Sequence, residues 1–103
     1  MASHGIRDQV AIVGMGCLAF GEHWDRSLDD LLIDAAGLTF DSAGIGKEDV
    51  DAYWFGTSQS AVSGIALATP LRLHDKPVTR VENFCATGSE ALRQACYAGA
   101  SGA

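Results

Sequence analysis

An α/β fold with a mostly parallel sheet is what this sequence predicts, and three observations lead there. Extended runs rich in apolar or aromatic residues fall at 10–14, 52–57 and 78–84. Helix signals follow each of them, and loops of small and polar residues separate the units. Strands that alternate with helices imply parallel pairing through right-handed crossovers.

The first unit opens with Val10-Ala11-Ile12-Val13-Gly14, a short apolar run closed by glycine, which reads as a buried strand. Ser27 with Asp30 has capping-box spacing, with Asp in place of Glu, and Asp29 and Asp30 favour the positive end of a helix. Leu28, Leu31, Leu32, Ala35 and Leu38 then form an apolar stripe at helical spacing that reads as packing against a sheet, and Gly44 is the stop. The second unit is the aromatic run Ala52-Tyr53-Trp54-Phe55-Gly56-Thr57, a small-residue loop from Ser58 to Gly64, and the apolar stretches Ile65–Ala68 and Leu71–Leu73. Pro70 weakens a helix there, because it removes a donor and restricts Thr69. The third unit is a strand from Val78 to Phe84 followed by a helix through Leu92, Ala95 and Cys96 toward Gly99, for which Thr87 and Glu90 have capping-box spacing.

Three strands alone leave two sheet edges open, which natural folds rarely accept without cover. The tail from Ala98 to Ala103 brings no strand to complete the last unit. The expectation is part of a domain rather than a whole one. Hydrophobic residues make up 48% of the 103 and charged ones 19%, which excludes a disordered chain. Net charge is −6 with Lys and Arg scattered singly, so the basic footprint of nucleic-acid binding is missing. No apolar run approaches the ~20 residues of a membrane span, and the N-terminus lacks the layout of a signal peptide. Three cysteines without CxxC spacing point to neither a disulfide framework nor a zinc site, and a reducing, cytoplasmic setting fits. His4, His23 and His74 form no metal-ligand spacing with them.

Two motifs carry chemistry. Gly14-Met15-Gly16-Cys17-Leu18-Ala19 matches G-x-G-x-x-G/A after a strand, the pattern that brings a pyrophosphate to a helix N-terminus. Against it, the cap signal waits until Ser27, and no acidic residue follows the second strand to meet a ribose hydroxyl. The stronger candidate is Cys85, at the junction of the third strand and its helix, where unpaired N–H groups and a helix dipole favour thiolate over thiol. Cys17 and Cys96 read instead as small buried hydrophobes.

The segment Val81-Glu82-Asn83-Phe84-Cys85-Ala86-Thr87-Gly88-Ser89-Glu90-Ala91-Leu92-Arg93 resembles the active-site segment of the thiolase superfamily. The resemblance is closest to the branch of sterol-carrier-protein-type thiolases and archaeal-type acetyl-CoA acetyltransferases. The Val10–Gly16 and Asp49–Gly56 stretches also fall where that branch has its first two strands. The resemblance implies that residues 1–103 form the N-terminal βαβαβα portion of a thiolase-like domain, with the rest of the first half and the whole second half absent. It implies Cys85 as the nucleophile that takes up the acyl group, a coenzyme A thioester as substrate with no bound cofactor, and no metal. It assigns no cofactor-binding residue. It further implies thioester exchange or Claisen condensation, with a homodimer or homotetramer in the full-length form. The partner acid–base groups belong to later segments of the family, so the 103-residue chain alone is expected to be incomplete and inactive. A non-catalytic thiolase-fold piece that binds a complementary subunit, and a nucleotide-binding module on Gly14 and Gly16, stand as the alternatives.

Overall fold

The computed structural model describes residues 3–103. Helix α1 (Leu28–Ala43) starts as its sequence dictates. Ser27 Oγ accepts from the Asp30 N–H and Asp30 Oδ2 accepts from the Ser27 N–H, both at 3.1 Å. The Ser27 N–H bond first, and then the Ser27 side chain, hold the Asp30 carboxyl below the usual carboxylate range, with help from Arg26. Gly44 ends the helix at φ 72°, its N–H returning to the carbonyls of Phe40 and Asp41.

Strands β1 (Tyr53–Gly56) and β2 (Val78–Val81) pair in parallel, with Tyr53 opposite Val78 and Gly56 opposite Val81. The crossover between them runs through helix α2 (Ile65–Leu71). Pro70 is inside α2, in its last turn, and the helix stops at once: Arg72 turns to φ 55° and its N–H closes on Ala68 and Thr69. The core gathers on this side of the sheet. Phe55, Leu67 and Leu73 are buried together, with Leu32, Tyr53 and Val78 packed around them.

Alternation along β1 sends Trp54 and Gly56 to the other face. There helix α3 (Thr87–Ser101) covers the sheet, and a Cβ on Gly56 would lie 3.5 Å from Ala91. Helices α1 and α2 contact each other, so the order of layers is α1 and α2, sheet, α3. The α/β class and the parallel sheet are as the sequence predicts.

Three details differ. Among the described residues Val10–Gly14 forms no strand, and Ile12 and Val13 are about 70% exposed. Apolar content permits a strand, but only a hydrogen-bonding neighbour makes one, and this segment runs along α1 instead. The Met15 N–H donates to Ser42 Oγ at 3.1 Å, and Cβ atoms on Gly14 and Gly16 would come within 2.6 Å of Ala43 and 2.7 Å of Thr39. The sheet among the described residues therefore has two strands. The third predicted strand ends at Val81 rather than Phe84, because Asn83 and Phe84 leave the extended region. The predicted capping box at Thr87 and Glu90 does not form: Ala86 is the N-cap, without a side-chain bond, and Glu90 turns to Arg93 and Gln94.

Candidate active site

Cys85 is the middle residue of a single 3-10 turn, Phe84–Ala86, that joins the end of β2 to α3. Its side chain is exposed, and among the described residues Sγ takes part in no hydrogen bond. Its backbone, by contrast, is tightly set. Asn83 has φ −157° and ψ 47°, and Phe84 has φ +48°, the left-handed region that bulky L-residues avoid. Such a residue costs about 1–3 kcal/mol and persists only when its surroundings hold it.

Five hydrogen bonds hold this turn. Glu82 Oε2 accepts from the Phe84 N–H at 2.5 Å. Thr87 Oγ1 accepts from the Asn83 N–H at 2.8 Å and donates to the Phe84 carbonyl at 2.7 Å. That carbonyl also receives the Thr87 N–H, while the Ala86 N–H closes on the Asn83 carbonyl. Thr87 is buried, and its methyl and carbonyl lie over Gly56 at the end of β1. The sequence singles out Cys85 as a candidate, and nothing in its spacing marks Phe84 or Thr87 as the residues that shape its turn. The spacing of Thr87 to Glu90 predicts a cap for the helix ahead, whereas the hydroxyl bonds the backbone behind it.

Nearby, Arg80 extends from β2 to donate from Nη2 to the carbonyls of Thr57 and Ser58, at 2.9 and 3.1 Å, which pins the loop leaving β1. The ends of both strands and the Cys85 turn are thus fixed by hydrogen bonds. At the start of α3, Glu90 accepts from Arg93 and Gln94, and these bonds, the Arg93 one first, bring its carboxyl to about 2. Arg93 also lies over the Tyr97 ring, 5.3 Å from its centroid.

The other candidates are elsewhere. Gly14 and Gly16 lie against α1 near Ala43 and Thr39, at no helix N-terminus, so the strand-turn-helix geometry of a dinucleotide site is not formed. Cys17 is exposed rather than buried, with Sγ donating to the Leu18 carbonyl at 3.3 Å; a chain that leaves its first apolar run in the open leaves the adjoining thiol there too. Cys96 is half-buried in α3, as a packing residue should be. His23 bonds the Ala19 carbonyl at 2.7 Å and is committed there. Among the described residues no group of His, Cys, Asp or Glu is arranged to hold a metal, and no helix is long and apolar enough to cross a membrane.

No family model matches the chain. Curated proteins do. An acetyl-CoA acetyltransferase of Methanocaldococcus jannaschii is 40% identical over 101 residues, which is 91% of this chain and 26% of that protein. An acetyl-CoA acetyltransferase of Methanothermobacter thermautotrophicus is 36% identical over 100 residues, 90% of this chain and 26% of that protein. The chain spans about a quarter of the length of these relatives. It is similar to part of these acetyl-CoA acetyltransferases, matched over nine-tenths of its own length, and that similarity is consistent with a thiolase-type fragment.

Proposed function

We propose that this sequence is the nucleophile-bearing part of a thiolase-type acyltransferase and that Cys85 is its acyl acceptor. The observation that carries the reading is the presentation of Cys85: an exposed thiol on a strained, hydrogen-bonded turn between a strand and a helix, within a segment shared with acetyl-CoA acetyltransferases. The substrate is a coenzyme A thioester, with no resident cofactor and no metal. The thiolate attacks the thioester carbonyl, the carbon–sulfur bond to coenzyme A breaks, and the departing thiolate takes a proton. The acyl group then rests on Sγ. Backbone N–H groups at the start of a helix are suited to the oxyanion that forms on the way.

The second half-reaction, transfer of the acyl group to coenzyme A or to a carbon nucleophile, needs a proton-transfer group near Sγ. No described side chain bonds Sγ, so that group belongs, in this reading, to further parts of a whole acyltransferase or to a complementary subunit. A dimer or tetramer in a cytoplasmic setting completes the proposal.

The test is to incubate the chain with acetyl-CoA, digest it and weigh the peptides. An acetyl group on the Cys85 peptide, lost in Cys85→Ser, supports the reading. Folded wild-type protein that takes none would favour a non-catalytic piece that only binds a partner.

A further inference from the structure

We infer that Thr87 is the positioning residue of Cys85, a role that rests on the acyl-acceptor reading above and names what holds that acceptor in place. Phe84 precedes the cysteine at φ +48°, and the residue is 79% exposed, so packing does not offset the strain. The conformation must be imposed by hydrogen bonds. Glu82 supplies one, from an exposed side chain. Thr87 alone reaches both sides of Phe84, and its single hydroxyl proton is used to do so.

Thr87 is also anchored. It is 7% exposed, and a Cβ on Gly56 would lie 3.0 Å from its Cγ2, so the end of β1 leaves it little room to shift. The position of the sheet is therefore passed through the Thr87 hydroxyl to the Asn83–Phe84 backbone, and from there to the direction of the Cys85 Cα–Cβ bond. Sγ has no hydrogen bond of its own among the described residues, so its backbone alone aims it. Reaction with a thioester requires Sγ close to the carbonyl carbon and on its line of attack, which makes rate sensitive to small displacements.

The test compares three versions of the 103-residue chain: wild type, Thr87→Val and Thr87→Ser. Valine keeps the shape and removes both bonds; serine keeps the hydroxyl and loses the methyl that touches Gly56. Acetyl uptake at Cys85 from acetyl-CoA and the labelling of Cys85 relative to Cys17 by an aromatic disulfide are both followed by peptide mass. Thr87→Val is expected to slow acetyl uptake about tenfold or more and to lower the Cys85-to-Cys17 labelling ratio at least threefold. Thr87→Ser is expected to recover most of both, although its melting temperature falls. Adding Phe84→Gly to Thr87→Val should restore part of the ratio, because glycine adopts φ +48° without strain; this double variant also decides the matter if Thr87→Val alone does not fold. Wild-type rates in Thr87→Val, losses in both single variants that track their melting temperatures, or a double variant no better than Thr87→Val would overturn the inference. If wild type takes up no acetyl group, the acyl-acceptor reading fails, and the labelling ratio still judges the Thr87 clamp.

Discussion

Gly56 lies directly against Thr87: a Cβ at position 56 would stand 3.0 Å from Thr87 Cγ2 and 3.1 Å from its carbonyl oxygen. Those distances are tighter than ordinary carbon contacts, and Thr87 is buried and hydrogen-bonded in two directions, so it cannot retreat freely. The last residue of β1 is therefore small because the helix carrying the cysteine turn starts on top of it.

Gly56→Ala is accordingly expected to destabilise the chain by about 1–3 kcal/mol, the usual range for overpacking. Because the displaced atom belongs to Thr87, the labelling rate of Cys85 should change as well, while that of Cys17 stays constant. Urea unfolding and peptide-resolved thiol labelling check the two halves. Unchanged stability would mean that the strand end and α3 separate easily.

What could be read in advance was what depends on near neighbours in the chain. Ser27 and Asp30 cap α1 from three residues apart, and Gly44 stops it by its own freedom at positive φ. The junction position of Cys85 likewise follows from the extended run before it and the helix after it. The pairing of Val10–Gly14 did not follow, because a strand needs a distant partner and the apolar pattern is the same with or without one. Nor did the Thr87 clamp: capping-box spacing looks forward to Glu90, whereas the hydroxyl found two backbone groups behind it and Glu90 found Arg93.

Two further glycines should respond to the same substitution in opposite directions. A Cβ on Gly64 would run into the backbone carbonyl of Val78, so Gly64→Ala must push α2 away from β2 and is expected to cost 2 kcal/mol or more, at roughly the upper end of overpacking effects. Gly37 is inside α1 with open space where its Cβ would be, so Gly37→Ala is expected to stabilise by about 0.5–1 kcal/mol through helix propensity. Denaturant midpoints measured on both variants test the contrast, and a loss of stability in Gly37→Ala would show that this face of α1 is occupied.

At the start of α1 the capping box predicts its own pair of effects. Ser27→Ala removes the acceptor of the Asp30 N–H and is expected to cost about 1 kcal/mol, the common cost of losing an N-cap. The Asp30 carboxyl loses one of the bonds that lower its pKa, so its titration, followed by NMR, should move up toward the ordinary value. The Ser27 N–H bond to Asp30 survives the substitution, so a partial rise is expected rather than a full return.

Glu90 gives the fold a dependence on acid whose sign is fixed by its bonds. Folded, its carboxyl is depressed to about 2 from an ordinary 4.5, chiefly by the hydrogen bond from Arg93 and then by the one from Gln94. A carboxylate depressed on folding stabilises the folded state fully above the unfolded value, and the contribution is lost as pH falls through the window from 4.5 to about 2. Below that window both states are protonated and the contribution is gone. Melting temperature should therefore fall on acidification across this range, and Glu90→Gln should fall less steeply because it has no charge to lose there. Solvent reaches the Glu90–Arg93 pair, so salt weakens the difference between the two proteins. Parallel slopes for wild type and Glu90→Gln would mean that another carboxylate carries the acid sensitivity, and Asp30, depressed in the same direction by Ser27, is the residue to replace next.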